Sequence, residues 1–319
     1  MMENNQQEIN IEWFNKLRDH MLAEKKHYDS PRHEGERQIF IDMYTTKGHF
    51  LYELLQNADD AKATEVEIEL HDDGLTFTHN GSVRFTLSDL DTEKEDKKNG
   101  CLGHINAITA IAFSNKNGNG STENKIGKFG LGFKSVYNYT NTPHIYDEPY
   151  CFKMDRDWVP ELLEDKRRLK QGKTVFYLPF DKEEGNSESA FNDLKGELAD
   201  MSNVVPQLFL NHIEHIYWKT GEESYQISKK LEEKYDNTFG WMDAEKYVLN
   251  LGKDKDEHII MLSGRFNLNQ YGIHTVRIAY WLNDDGSIVT SKRRPGLYSY
   301  FPLKLDFQGS VSLSVSGVC

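Results

Sequence analysis

The sequence predicts an α/β protein in which helices pack against a sheet, and two observations support this class. Residues 11–26 and 47–61 place apolar side chains at helical spacing, with polar and charged residues between them. Residues 66–70 alternate between apolar and acidic side chains. A turn at 71–74 joins them to a second strand-like run, which predicts a β-hairpin. A helix and a hairpin are therefore expected side by side early in the chain.

Composition indicates a folded protein of about two domains. The chain has 319 residues, of which 38% are hydrophobic and 12% aromatic, enough for sizeable cores. Its 51 acidic and 38 basic residues give a net charge of −13, which argues against a broad binder of nucleic acid phosphates. Neither a signal peptide nor a membrane span is visible. We therefore expect a cytoplasmic protein with no membrane partner.

The rest of the sequence predicts further helices and strands, separated by a polar loop. Residues 102–113 favour an apolar helix, and the polar, glycine-rich segment 114–125 is typical of a mobile loop. Beyond Pro143 strand-like runs predominate, with a further helix near 187–200 and a helix joined to a strand over 208–218. The expected organisation has three parts: an N-terminal helical lead-in over 1–35, a main domain over 36–215 and a C-terminal extension over 216–319.

The helix over 47–61 carries the first candidate site. Glu53, Asn57 and Asp60 stand at i, i+4 and i+7, so one helix points all three in the same direction. A carboxylate, a carboxamide and a second carboxylate on one face can hold a divalent cation and activate a water. Taken alone, the triplet is also compatible with an ordinary solvated helix face.

The second candidate site is the glycine-rich segment 127–133. Closely spaced glycines let backbone N–H groups approach an anion, and a helix beginning near Phe133 would offer its positive end to phosphate. The segment is not a Walker loop, because Phe133 separates Gly132 from Lys134. It is not a Rossmann turn either, because a long polar loop precedes it. Tight turns or close packing would explain the glycines equally well if the cluster stood alone.

The order of these elements resembles the GHKL ATPase superfamily. That group includes the Hsp-ninety chaperones, MutL, type II topoisomerases, sensor histidine kinases and MORC-type proteins. The shared pattern is E-x-x-x-N-x-x-D-A on a helix, a strand pair, a polar loop, G-x-F-G-x-G-F entering a helix, and a threonine on a later strand. The strings ELLQNADDAKA, NGSVRFT and IGKFGLGFKSVY look most like the sacsin-type branch. The resemblance spans about residues 30–215 and implies a Bergerat-type α/β sandwich, with helices covering one face of a mixed sheet.

The resemblance implies a role for each candidate residue. Glu53 matches the general base that orients the attacking water, Asn57 matches the Mg²⁺ ligand, and Asp60 matches a position that supports the nucleotide pocket. The phosphate-binding segment would be formed by Gly127, Phe129, Gly130, Gly132 and Phe133. Residues 114–125 would form the ATP lid, from which Lys116 could reach a phosphate, and Thr174 would lie near the adenine.

One position departs from the superfamily pattern. Alignment through Phe85 and Thr86 puts Asn80 where most members carry the aspartate that reads adenine, and Ser82, Val83 and Arg84 largely replace the usual glycines. An asparagine still offers a carbonyl acceptor to the exocyclic amine of adenine. It lacks the charge of the usual aspartate.

The resemblance implies an Mg²⁺-dependent ATPase that is slow in isolation. Lid closure on ATP would drive a conformational step or an ATP-dependent homodimerisation in a larger protein. Its role would be chaperone-like or related to bacterial defence, with an unidentified protein client. Two alternatives stay open: a nucleotide-gated binding module without appreciable hydrolysis, and a nucleic-acid-linked ATPase of MORC or MutL type.

Overall fold

The computed structural model describes residues 10–28, 49–110, 132–182, 186–235, 242–267 and 273–289, with short segments at 297–299, 301–303 and 312–315. The chain divides into two units, one formed by 1–197 with 219–222 and the other by 198–218 with 223–319. In the described part of the chain, no helix combines the length and apolar character needed to cross a membrane. The domain boundaries expected after residues 35 and 215 stay predictions.

The helices follow the apolar periodicity of the sequence. Their bounds are α1 Ile11–Tyr28, α2 His49–Asp60, α3 Glu93–Asn99, α4 His104–Thr109 and α5 Asn186–Val204, with 3-10 helices at Gly132–Asn138 and Pro206–Phe209. Helix α1 buries Phe14 and Leu17, and α2 buries the predicted apolar stripe, which includes Leu51, Leu54 and Leu55. Removing this apolar area from water favours their packing. The helices predicted in the α1, α2 and α5 regions are thereby confirmed.

The helix predicted over 102–113 is shorter than expected. Helix α4 begins at His104, after Gly103 in an extended conformation, and Ala110 leaves the helical region at φ −76° and ψ 151°. Gly103 packs so closely that an added Cβ would lie 2.4 Å from the backbone nitrogen of Ser88. This contact fixes where the helix begins, while residues 111–113 lie outside the described segments.

The first unit contains six neighbouring strands of a sheet. They are β1 Glu65–His71, β2 Gly74–His79, β3 His144–Tyr146, β4 Cys151–Met154, β5 Pro160–Leu162 and β6 Thr174–Pro179. Their order in space is β1-β2-β6-β3-β4-β5, and each described neighbouring pair is antiparallel. The predicted hairpin is the β1–β2 pair, in which Leu70 stands opposite Leu75. This hairpin is therefore confirmed.

Helical segments cover one face of this sheet. The register places Phe77 of β2 opposite Phe176 of β6, so both side chains belong to the same face. The ring of Phe133, from the 3-10 helix Gly132–Asn138, lies 5.8 Å from that of Phe176. On the same side, Phe14 of α1 meets Phe152 of β4 with 6.1 Å between ring centroids. The helical cover expected on one face of the sheet is therefore present.

The second unit is dominated by long strands. They are β7 His215–Thr220, β8 Glu223–Tyr235, β9 Met242–Asn250, β10 Glu257–Asn267, β11 Ile273–Leu282, β12 Leu297–Ser299, β13 Phe301–Leu303 and β14 Ser312–Val315. In space they run β7-β8-β9-β10-β11-β14-β12-β13. Strands β12 and β14 are parallel, whereas the β8–β9 and β9–β10 pairs are antiparallel. A mixed sheet with helices confirms the predicted α/β class.

Two parts of this unit differ from the sequence expectation. Strand β8 carries a charged run without apolar alternation, so periodicity did not predict it. It forms by pairing with β9, with an irregularity between Leu231 and Glu233. The helix expected near residue 208 is only the 3-10 turn Pro206–Phe209. Lys229 donates to the carbonyl of Leu210 at 2.6 Å, which holds the chain after that turn in place.

Candidate functional site

The first part of the site is the polar face of α2. Glu53, Asn57 and Asp60 are all half-buried, whereas the apolar residues between them, such as Leu54 and Ala58, are fully buried. One helix therefore brings the three predicted residues to one face, as their spacing requires. The carboxylate and the carboxamide are thus partly exposed, while the packed side of the helix fixes their backbone.

The end of α2 is joined to the loop that follows β2. The carbonyl of Ala61 accepts hydrogen bonds from the backbone N–H groups of Ser82 at 2.8 Å and Val83 at 3.3 Å. Between them and the strand lies Gly81, where an added Cβ would stand 2.7 Å from the Ala61 carbonyl oxygen. Only a glycine permits this approach without a shift of backbone. The polar face of α2 and the end of β2 are thus held next to each other.

The second part of the site is a group of polar residues where three strands meet. Strand β2 ends at His79, β6 begins at Thr174, and β3 ends just before Asp147. Both β2 and β3 run antiparallel to β6. The last residues of β2 and β3 therefore lie beside the first residues of β6, at the same end of the strands. Together with Arg84, these residues form what we call the sheet-end cluster: His79, Arg84, Asp147 and Thr174.

Asp147 is the centre of the sheet-end cluster. Its carboxylate is fully buried and accepts from the backbone N–H of Phe85 at 2.6 Å, from Arg84 at 2.9 Å and from the Thr174 hydroxyl at 3.0 Å. Burial raises the pKa of this carboxyl, although the three hydrogen bonds oppose the shift. Arg84 also donates to the Gly172 carbonyl at 2.7 Å. The Asp147 carboxylate therefore accepts hydrogen bonds from three groups of the protein itself.

His79 is the other buried titratable group of the cluster. Only 4% of its surface is exposed, and its ring stacks on Phe176 with 6.1 Å between centroids. Burial and, to a smaller extent, the charge of Arg84 lower its pKa to about 3, so the ring is neutral near pH 7. Its Nδ1 accepts from the backbone N–H of Gly81 at 3.1 Å. A neutral ring with an accepting Nδ1 carries its proton on Nε2.

The side chain of Asn80 stabilises the β1–β2 hairpin through hydrogen bonds. Its amide oxygen accepts from the backbone N–H groups of Thr64 at 2.9 Å and Glu65 at 3.0 Å, and its amide nitrogen donates to the Thr64 hydroxyl at 2.9 Å. The register pairs Thr174 with His79 and not with Asn80. The structure therefore brings Thr174 beside His79, and a contact between Asn80 and adenine stays a prediction.

The glycine-rich segment is described only at its end. Lys116, Gly127, Phe129, Gly130 and the expected lid over 114–125 lie outside the described residues. Gly132 begins a 3-10 helix of seven residues where an ordinary helix was expected. Phe133 is 5% exposed and packs on Phe176, so its ring contributes to the core in the described part of the chain.

Lys134 was missed by sequence reasoning. Its side chain is 2% exposed, its ammonium lies 3.5 Å from the centre of the Trp158 ring, and it donates to the carbonyl of Ala110. Burial lowers its pKa to about 7. Ala110 and Gly132 flank the segment 111–131, so this lysine ties together the two ends of that segment. No pattern around a single lysine in the glycine-rich string would have predicted this contact.

The donor set fits Mg²⁺ in one limited way. No group of three His, Cys, Asp or Glu side chains able to hold a metal occurs among the described residues. Mg²⁺ usually takes one or two protein ligands and completes its shell with waters and substrate phosphates. The oxygen of a half-buried carboxamide such as that of Asn57 suits this mode. Any Mg²⁺ site here would therefore depend on a phosphate ligand.

Comparison with known proteins finds a family that resembles part of this chain. Residues 37–157 match the family model described as the Sacsin domain. This segment is similar to sacsin-type domains. It contains α2, the β1–β2 hairpin and every member of the sheet-end cluster except Thr174. The resemblance to sacsin-type proteins is thereby confirmed.

Individual relatives also match part of the chain. Human sacsin is 32% identical over 127 residues, and the protein NO VEIN of Arabidopsis thaliana is 31% identical over 115 residues. Each match covers 36% of this chain, but only 2% of sacsin and 4% of NO VEIN. The matched part of this chain thus corresponds to a small portion of each relative's length.

Among solved structures, one match is the ATPase region of Saccharomyces cerevisiae topoisomerase II bound to ICRF-187 (dexrazoxane). It has a TM-score of 0.39 and 13% sequence identity, and the match covers 63% of this chain and 58% of the yeast chain.

Proposed function

We propose that this chain binds ATP with Mg²⁺ and hydrolyses it slowly. The observation that carries the proposal is the arrangement of α2 within the segment similar to sacsin-type domains. Glu53 and Asn57 lie half-buried on one helix face, and the contact between Ala61 and Gly81 holds that face beside the sheet-end cluster. A ligand with a charged end and a flat apolar end suits this combination, because the helix face is polar and the sheet end carries aromatic rings.

Each residue of the helix face has a defined task in this proposal. Phosphoryl transfer requires mainly positioning and neutralisation of charge, so one base and one metal ligand are a sufficient start. The Glu53 carboxylate orients the attacking water and accepts its proton. The Asn57 carboxamide oxygen would hold Mg²⁺, which would supply positive charge against the triphosphate. Asp60 supports the pocket from the next turn of the helix.

The remaining parts of the proposal concern the conformational response. In this proposal Gly127, Gly130 and Gly132 would donate backbone N–H groups to the phosphates, and Lys116 would supply a positive charge to them. Lys134 bridges the ends of that segment through its bond to Ala110. Closure over the nucleotide then drives a structural step or dimerisation in a larger protein, with a protein client and a chaperone-like or defence-related role.

The test compares Glu53→Gln with a control on another helix, Glu95→Gln, an exposed glutamate of α3. Binding of ATP is measured by calorimetry with and without Mg²⁺, and turnover by phosphate release. We expect Glu53→Gln to bind ATP normally and to lose turnover by about 100-fold, because a positioned base contributes at least that factor. Asn57→Ala is expected to weaken only the Mg²⁺-dependent part of binding, while Glu95→Gln changes neither quantity.

Two results would change the assignment. Equal phosphate release by wild type and Glu53→Gln would remove Glu53 from the reaction. Tight Mg²⁺-dependent binding with no phosphate release from wild type would identify a nucleotide-gated binding module. Absence of ATP binding to the wild-type chain at millimolar concentration would overturn the proposal as a whole.

A further inference from the structure

We propose that His79 reads the base of the bound nucleotide by donating a hydrogen bond from its Nε2–H to a ring nitrogen of the base. The inference deepens the proposed ATP-binding function and rests on it. It transfers the base-reading role from Asn80 to its neighbour and reverses the direction of the hydrogen bond. The protein is the donor here, whereas an asparagine oxygen or a carboxylate would be the acceptor.

The first step concerns position. His79 is the last residue of β2 and stands opposite Thr174 in the β2–β6 register, on the sheet face that carries Phe77 and Phe176. That face is the one covered by helical segments, and Gly81 connects its edge to the end of α2. A ligand held at the polar face of α2 would therefore meet His79 and the aromatic rings at its far end. Aromatic rings offer a flat apolar surface suited to a base.

The second step concerns which ring nitrogen is available. Nδ1 is engaged by the N–H of Gly81, and Nε2 makes no hydrogen bond to the described residues. Because burial keeps the imidazole neutral, it has a single proton, which resides on Nε2. Only a donor is therefore left to face a ligand. A donor on a 4% exposed side chain, with no acceptor among the described residues, favours a ligand that supplies one.

The third step concerns the neighbouring acceptors. The Asp147 carboxylate is fully buried and receives bonds from Phe85, Arg84 and Thr174. The Asn80 amide oxygen already accepts two backbone N–H groups, which use both of its lone pairs. Asn80 therefore cannot accept from an exocyclic amine without first giving up a bond, and complete burial keeps the Asp147 carboxylate away from a ligand. Recognition at this edge therefore depends on an acceptor of the base, such as N1 of adenine.

The test uses three triphosphates that differ only at the base edge. They are ATP, 1-deaza-ATP, in which a C–H replaces N1, and purine riboside triphosphate, which lacks the exocyclic amine. We expect 1-deaza-ATP to bind the full chain about tenfold more weakly than ATP, because the Nε2–H donor would be buried without a partner. Purine riboside triphosphate should bind about as well as ATP.

The opposite pattern would overturn the inference. Loss of affinity for purine riboside triphosphate, with normal binding of 1-deaza-ATP, would mean that an acceptor of the protein reads the amine. Equal binding of all three would mean that His79 does not read the base. Both results leave ATP binding intact and so differ from a failure of the proposed function, in which none of the three nucleotides binds.

Two substitutions of His79 test which of its ring nitrogens contacts the base. Glutamine at position 79 can place an amide N–H near the site of Nε2, whereas asparagine can reach only the site of Nδ1. His79→Gln is therefore expected to keep the preference for ATP over 1-deaza-ATP. His79→Asn should lose about tenfold in ATP affinity and bind the two nucleotides equally. A preference that survives in His79→Asn would overturn the inference.

A third variant addresses the rival residue. Asn80→Ala removes the bonds to Thr64 and Glu65, so it should lower the stability of the hairpin. It should leave the ratio of ATP to 1-deaza-ATP affinities unchanged, measured under conditions where unfolding curves show the variant to be folded. A loss of that ratio in Asn80→Ala would return the base-reading role to Asn80.

Discussion

The polar face of α2 and the sheet-end cluster are both rich in polar side chains, but these side chains differ in how deeply they are buried. Glu53, Asn57 and Asp60 are half-buried on a helix whose other side is packed. In the cluster, Asp147 is fully buried and its carboxylate is occupied by donors from Phe85, Arg84 and Thr174. The polar side chains of the helix face are therefore partly exposed, while those of the cluster are bonded to one another and stabilise the fold. His79 is also buried, but its Nε2 makes no hydrogen bond to the described residues.

The largest contrast should come from removing a carboxylate in each region. Asp147→Ala leaves three donors without their acceptor, and we expect it to lower the free energy of unfolding by about 3 kcal/mol. Glu53→Gln keeps the shape of a half-exposed side chain and should cost less than about 1 kcal/mol. Urea unfolding measures both values. Similar losses would show that the two regions do not divide between stability and ligand binding.

Acid should destabilise the protein through His79. Its folded pKa of about 3 lies below the ordinary value of 6.5, so below pH 6.5 the unfolded chain takes up a proton that the folded chain does not. Stability therefore falls as the pH falls from about 6.5 towards 3, by about 2.5 kcal/mol at pH 4.5.

The control for this pH effect is His79→Gln. The raised pKa of Asp147 acts with the opposite sign, because that carboxyl takes up its proton more readily in the folded state. Asp147 is present in both proteins, so the difference between their unfolding curves at pH 7 and pH 4.5 isolates His79. Parallel pH profiles for the two proteins would contradict the prediction.

The link between the two regions should be sensitive to a single methyl group. Gly81→Ala places a Cβ against the Ala61 carbonyl, and we expect a loss of about 2 kcal/mol. Gly196 of α5 provides the comparison, because an added Cβ there meets nothing within 4 Å. Gly196→Ala should raise stability by up to about 1 kcal/mol, since alanine is the better helix former. Thermal unfolding of both variants checks the sign of each change.

The smallest effect is expected at Thr174. Thr174→Val removes the hydroxyl that donates to Asp147 and keeps the side-chain volume, so the loss should be about 1 kcal/mol. Thr174→Ser retains the hydroxyl and should preserve more of the hydrogen-bond contribution. If the serine variant were the less stable of the two, packing of the methyl group would outweigh the hydrogen bond.

Short-range patterns predicted a large part of the fold. The apolar stripe of α2 and the alternation in β1 both follow from repeats within a few residues, and both elements formed as expected. Strand β8 was missed because its charged run has no such repeat, and only pairing with β9 defines it. The apolar pattern of the sequence also did not predict where α4 begins, because the contact of Gly103 with Ser88 sets its start.

The sequence by itself determined that Glu53, Asn57 and Asp60 share one face, because the period of a helix requires it. It also carried the sacsin-type motif order, which the family comparison confirmed. Only the tertiary structure decided that His79 stands opposite Thr174 and that Arg84 meets Asp147, 63 residues further along the chain. Strand register and burial determine these contacts, and neither is encoded in the spacing of neighbouring residues.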